Sequence, residues 1–264
     1  MNLKLDFLKF VCYNKNMRKT LYTNKKIKSL ISDIIYDIQN YNFTILKYTE
    51  NIDKTDEINE DKDSIIRQSF LIDVTMKAFN DFNDITLGNL SLNKNIENIN
   101  ILMNNVIDNC YSLFISKRVK IKLSEEINTN FNILIDKNKI VNSIFYVFMF
   151  IYNLIKSNSF IDVSYSFVNY DDERFLFFNN KNSLLNFSKD NILISISFDS
   201  NNIPEDIKRK LFKTPLISYN GRHFNNIFLY TAYYIITKHS GNIWFDSIGS
   251  KRRINIIFPI KSGL

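Results

Sequence analysis

The chain has 264 residues, 45% of them hydrophobic, 14% aromatic and 23% charged, a balance that suits one or two globular domains and excludes wholesale disorder. Five Gly and three Pro are too few for a glycine-looped nucleotide site plus many tight turns, and two Cys with two His leave little from which to build a Cys/His metal site. The net charge of +7 permits an anionic partner without requiring one.

Asn, Lys, Ile, Phe and Tyr are over-used in helix-like and strand-like stretches alike, the mark of AT-rich coding rather than of function. Cys12 and Cys110 lie far apart with no motif around them, which points to a reducing cytoplasm and no disulfide framework. Leu5 to Val11 is short and broken by Asp6 and Lys9, so no secretory signal is read there. The most apolar run, Ile144 to Ile151, is eight residues long. A bilayer span needs about 20, so this run predicts a buried helix.

In chain order, residues 1–24 form an N-terminal extension. Over Lys25 to Tyr48, Ile27, Leu30, Ile31, Ile34, Ile35, Ile38, Ile45 and Leu46 recur at steps of three and four and predict an amphipathic helix. Thr49 to Asp63 is crowded with charge and Asn and predicts an exposed connection. From Ile65 the helical period resumes through Phe70, Leu71, Val74, Ala78, Phe79 and Phe82, and it stops at Leu87 and Gly88, where a glycine cap fits. Residues 25–90 are therefore an antiparallel helical hairpin. One apolar stripe per helix is completed either by a second copy, as a homodimeric four-helix bundle, or by packing on the rest of the chain.

Residues 91–264 alternate helices and strands. The pattern predicts a helix from Ile96 to Phe114, a strand at Arg118 to Leu123, an extended run at Phe131 to Ile135, and an apolar helix opened by Asp136 and running to about Lys156. Strands follow at Phe160 to Val168, Phe175 to Phe178 and Ile192 to Phe198. Pro204 starts a short helix to about Leu211, and Phe224 to Lys238 is a longer one ended by His239-Ser240-Gly241. Strands at Asn242 to Ser247 and Arg252 to Pro259 close the series. The expected architecture is α+β, with helices on one face of a mixed sheet.

That order of elements, with Phe198-Asp199-Ser200-Asn201-Asn202-Ile203-Pro204, Lys238-His239-Ser240-Gly241-Asn242-Ile243-Trp244 and Ile256-Ile257-Phe258-Pro259-Ile260, resembles the core of bacterial histidine kinases. The resemblance covers Lys25 to Ile260. It implies a dimerising, phosphoaccepting hairpin followed by an ATPase-like α/β sandwich.

The family's chemistry is not carried over with its frame. Tyr36-Asp37-Ile38-Gln39-Asn40-Tyr41 fits the phosphoacceptor motif with Tyr36 at the His position, and both histidines, His223 and His239, fall outside the hairpin. A phenol, with a reference pKa of about 10, is a poor nucleophile at neutral pH where imidazole is a good one. The family's nucleotide site relies on Asn side chains and on glycines that let backbone N–H groups approach phosphates. Here the Asn positions are held by Tyr146 and Phe150, or by Met149 and Asn153 in the other register, and the loop after Phe198 keeps Asp199 but has Ser200, Asn201 and Asn202 for glycines. The lid reads Phe224-Asn225-Asn226-Ile227-Phe228, with no glycine between Gly221 and Gly241. The degenerate positions are thus Asn153, Asp199, Asn202 and Asn226, and neither nucleotide nor metal is expected.

This pattern of losses is similar to the histidine phosphotransferases of the bacterial cell-cycle phosphorelay, through Phe82 to Gly88 closing the second helix, the aromatic helix Ile144 to Ile155, and Tyr230 to Tyr234. That resemblance implies a cytoplasmic homodimer that docks a response-regulator receiver domain against the hairpin, here at Tyr36, Asp37, Asn40 and Tyr41. An active phosphotransferase or sensor kinase with an unusual acceptor is the first alternative. A basic nucleic-acid or membrane-surface module, using Lys208, Arg209, Lys210 and Lys213 or the tip Lys251-Arg252-Arg253, is the second. Asp37 reads either as a general base or as a solvated acid. His239 reads as a helix-end cap, His223 carries no reading, and Trp244 is expected in the core.

Overall fold

The computed structural model describes residues 24–52, 58–123, 131–169, 190–219, 222–248 and 251–260. The N-terminal extension as far as residue 23, Cys12, the strand expected at Phe175 to Phe178 and Gly221 lie outside the described residues.

Helices α1 (Asn24–Ile52) and α2 (Ile58–Leu87) pack along one another as the expected hairpin. Both run into the stretch read as an exposed connection, because Thr49 to Asp63 holds no Gly or Pro to stop them and Thr49 bonds back to the carbonyls of Ile45 and Leu46 within its own helix. Leu30, Ile31 and Ile34 of α1 are buried, as are Leu71, Val74, Ala78, Phe79 and Phe82 of α2. The end of α2 is a Schellman turn: the Asn89 N–H donates to Asp84 O at 2.8 Å, the Gly88 N–H donates to Ile85 O at 3.2 Å, and Gly88 has φ +74°.

Strand β1 (Asn95–Asn98) pairs antiparallel with β3 (Asn132–Ile135), and α3 spans Ile99–Ile115. The helix expected from Ile96 therefore starts three residues later. The Asn98 side chain accepts from the N–H groups of Asn100 and Ile101, an N-cap that fixes the boundary. Helix α4 (Lys137–Leu154) starts where expected, with the Asp136 carboxylate accepting from the Lys139 N–H at 3.0 Å.

The main sheet has the order β2-β4-β5-β9-β8, made of β2 (Lys120–Leu123), β4 (Phe160–Asn169), β5 (Asp190–Asp199), β8 (Asn242–Ile248) and β9 (Lys251–Pro259). It is mixed, since β2 runs parallel to β4 and all other neighbours are antiparallel. Period-two alternation sends Ile161 and Val163, Ile192, Ile194 and Ile196, and Ile254, Ile256 and Phe258 into one buried core. Between β5 and β8 lie α5 (Glu205–Lys208), the hairpin β6 (Leu216–Tyr219) and β7 (Arg222–Asn225), and α6 (Ile227–Lys238). Phe224 and Asn225 are thus strand residues, and the long helix begins at Ile227.

Helix α6 ends at His239, after which Ser240 takes φ +61°. Gly241 then passes so close to β9 that a Cβ there would meet Ile257 O at 2.7 Å. The hydrophobic core is continuous from α1 and α2 through α4 and α6 to the sheet. The hairpin accordingly packs on its own chain, one of the two completions expected. Its other side leaves Tyr36, Phe43, Leu46, Ile66 and Met76 exposed. Trp244 sits half-buried in a small separate cluster with Val168, Leu193 and Ile257, and not in the main core as expected. These four lie on the sheet face opposite the helices, at positions alternate to the core residues.

Candidate functional site

Two places in the fold gather the residues singled out by sequence. The first is the hairpin. Residues 36 and 40 are one helical turn apart, as are 37 and 41, but the two pairs are offset by about 100° around the axis. Tyr36 is 63% exposed and Asn40 is exposed beside it, so this pair faces solvent. With Phe43 and Leu46 it makes an outward stripe along α1.

Asp37 and Tyr41 turn the other way, toward the α/β part. The Asp37 carboxyl is held above the usual carboxylate range by burial first and by the nearby charge of Asp33, with a hydrogen bond from the Asn225 side chain pulling back. The Tyr41 phenol is pushed up to about 12, by burial first and then by Asp37 and Tyr152. The four residues expected to dock a receiver therefore do not form one surface. Tyr36 and Asn40 face solvent, and Asp37 and Tyr41 line the inner side of α1.

The second place is a cavity of about 470 Å³ lined by Lys156, Ser157, Asn158, Ser159, Asp199, Ser200, Asn201, Asn202 and Arg252. The turn after α4 and the loop after β5 form its walls, joined by the bridge between Ile155 and Ser200 and by the Lys156 N–H on Asp199 O at 3.2 Å. Every lining residue is polar, with two cations against one carboxylate. The Arg252 guanidinium is largely buried and donates to Asn202 Oδ1 at 3.4 Å and to Lys251 O at 3.3 Å.

Of the four residues expected at degenerate nucleotide positions, only Asp199 and Asn202 meet in this cavity. Asn153 is exposed on α4. Asn226 is buried and its side-chain N–H groups donate to the carbonyls of Leu211 and Thr214, stapling the loop before β6. Along α4, Tyr146 and Met149 are buried, Phe150 is half-buried, and the Tyr146 ring lies 6.2 Å from that of Phe228 on α6. A nucleoside triphosphate with its magnesium ion needs open space and close backbone N–H groups. A stapled Asn226, a space between α4 and α6 filled by rings, and an inward Arg252 do not fit it. Among the described residues no three His, Cys, Asp or Glu side chains come together as a metal site.

His239 is buried at the end of α6, its Nδ1 bonded to Ile235 O at 2.7 Å and its Nε2 accepting from the Asp136 N–H at 3.0 Å. Burial holds its pKa below the usual range, against the pull of its Ile235 bond. It is the neutral Nδ1–H tautomer and a structural cap, as its place in the sequence suggested. His223 lies on β7. Among the basic residues, Lys208 pairs with Glu205 at 3.1 Å, while Arg209, Lys210 and Lys213 are exposed. The tip Lys251-Arg252-Arg253 is tied down: Lys251 pairs with Asp162 at 2.8 Å, Arg252 points into the cavity, and Arg253 bonds to Ser197.

No family model matches the chain, and no curated protein matches it by sequence. Solved structures do resemble it in fold. The histidine kinase ThkA, in complex with response regulator protein TrrA, matches 97% of this chain and 67% of its own at TM-score 0.55 and 14% identity. The Acinetobacter baumannii histidine kinase AdeS matches 86% of this chain and 98% of its own at 0.53 and 14%. Full-length ShkA, in complex with AMPPNP, matches 89% of this chain and 46% of its own at 0.54 and 10%. No helix among the described residues is long and apolar enough to cross a membrane. The fold is that of a histidine-kinase core: a helical hairpin joined to an α/β domain with a five-stranded sheet.

Proposed function

We propose that this chain is a histidine-phosphotransferase-like protein of two-component signalling that docks a response-regulator receiver domain on its hairpin without carrying a phosphate or binding a nucleotide. The observation that carries the reading is the outward stripe of α1, exposed at Tyr36, Phe43 and Leu46 in a hairpin that has no histidine, with Tyr36 taken as the counterpart of the phosphoacceptor. The likeness in fold to a kinase solved with its response regulator supports it. Tyr36, Phe43 and Leu46 supply amphipathic and apolar contact area, and Asn40 supplies hydrogen bonding between them. Homodimerisation through the remaining exposed hairpin residues, Ile66 and Met76 among them, belongs to the same reading.

The test is incubation of the purified chain with phosphorylated and unphosphorylated receiver domains of its own organism, following complex formation and label transfer. Binding without transfer supports the reading. Transfer of phosphate onto the chain would restore an active relay protein, and binding to no receiver would remove the signalling assignment while leaving the fold intact.

A further inference from the structure

Asp81 of α2 is 4% exposed, although the residues around it on the inner face, Ala78, Phe79 and Phe82, are apolar. Both of its oxygens are taken by α4: Lys139 Nζ lies 2.6 Å from Oδ1, and the Tyr146 hydroxyl donates to Oδ2 at 2.6 Å. Lys139 sits in the first turn of α4, next to a second set of contacts. Asp136 caps that turn and its other oxygen accepts from the Asn93 N–H at 2.9 Å, while its own N–H reaches His239 at the end of α6. Lys94 donates to Lys238 O at 2.7 Å. A connected set of polar contacts thus runs from the hairpin through the start of α4 to the end of α6 and back to the segment that leaves the hairpin. Edge-on ring pairs flank it, Phe70 with Phe145 and Phe82 with Tyr230.

We propose that Asp81, Lys139 and Tyr146 form a latch that holds the hairpin and the α/β domain in a single arrangement, so that the two move as one body. The physical case has two parts. Sliding of α2 along α4 would leave a buried carboxylate opposite apolar side chains, and an unpaired buried charge is strongly penalised. Full separation would instead uncover Leu71, Val74, Phe79 and Phe82 together with the α4 and α6 side chains they meet. The ion pair thereby sets the register and the apolar contact supplies the adhesion. Tyr146 occupies, in one of the two registers, a place where kinases keep an Asn for the nucleotide, and its hydroxyl is here spent on the hairpin. The α1 stripe and the cavity at Asp199 are held at a fixed separation as a result. This goes beyond receiver docking and does not depend on it.

The test is a pulsed spin-label distance measurement on the full chain, with labels at Ser69→Cys on α2 and Ser247→Cys on β8, both exposed. Cys12→Ser removes one native thiol, and the other, Cys110, is buried with its pKa raised by burial. The parent gives one narrow distance distribution. The pair Lys139→Met and Tyr146→Phe, which orphans Asp81, adds a second population of roughly a tenth or more. A broad distribution in the parent overturns the latch, as does a narrow, unchanged one in the double variant with helical circular dichroism intact. If the double variant does not fold, Tyr146→Phe alone, which removes a single hydroxyl, is read by the same two criteria.

Discussion

The Nε2 atom of His239 accepts a hydrogen bond from the backbone N–H of Asp136, so the residue that ends α6 is bonded to the residue that caps α4. Protonation of Nε2 would put a donor against a donor. Burial already holds the His239 pKa below its ordinary 6.5. Because the unfolded chain binds this proton more readily than the folded one, stability is full above pH 6.5 and falls as the pH drops through 6.5 toward the folded value, by up to about 1.4 kcal/mol per pH unit. Urea titrations from pH 7.5 to 5 show the decline, and His239→Gln flattens it.

Asp136 acts in a lower window. Burial, the largest single influence, would raise its pKa, but the Asn93 and Lys139 N–H groups together with the nearby His239 and Lys139 side chains outweigh it and hold the pKa below 3.8. Its contribution is present above 3.8 and is lost as the pH falls through the folded value. Asp37 has the opposite sign: its raised pKa, caused first by burial, penalises the folded state above 3.8. Asp37→Asn therefore raises the melting temperature at pH 7, and the gain disappears under acid conditions where the native carboxyl is protonated.

Gly88 and Gly241 test two different reasons for glycine. Nothing lies within 4 Å of a Cβ built at Gly88, so Gly88→Ala costs only the left-handed backbone, about 1–2 kcal/mol. Gly241→Ala places a methyl group 2.7 Å from Ile257 O, a backbone atom fixed in the sheet. The second change costs more than the first in chemical denaturation.

Asn226→Ala removes the donors that serve the Leu211 and Thr214 carbonyls. Buried acceptors left unpaired cost about 1–3 kcal/mol. Hydrogen exchange in β6 and β7 rises with it, because the loop entering that hairpin is no longer stapled.

Tyr36→Ala leaves the melting temperature nearly unchanged, since a side chain 63% exposed contributes little to the core. On the docking reading it weakens receiver binding by about tenfold, or ~1.4 kcal/mol. A thermal melt of the variant checks the first half and a calorimetric titration the second, and wild-type affinity in the variant argues against the α1 stripe as the contact surface.

Much of this fold was legible because its signals were local. Asp136 before an apolar period, Gly88 after one, and the alternation Ile192, Ile194, Ile196, Phe198 each depend on side chains a few residues apart. The start of α3 was not legible, since Ile96 and Ile99 suit a helical period as well as a strand, and only the Asn98 cap decides. The β6–β7 hairpin is not legible although Asn220-Gly221 lies between its strands in the sequence; in so Asn-rich a chain that turn signal does not stand out. At the candidate site, the identity of Tyr36 was readable but the split between Tyr36 and Asp37 was not, because it depends on which side of α1 meets β7. Asp81 was invisible for the same reason: one acid among many becomes a partner of Lys139 and Tyr146 only through contacts some 60 residues away.

The strand order carries a consequence for synthesis. β9 is the latest of the described strands to be made, yet it lies between β5 and β8 and not at a margin. Until it emerges from the ribosome, β5 keeps one full row of N–H and C=O groups unpaired, and β8 has no neighbour in the sheet. Truncation before Lys251 would therefore remove the middle of the sheet rather than trim it. Chains released after truncation there should bind holdase chaperones and aggregate, whereas released chains that include Pro259 should not.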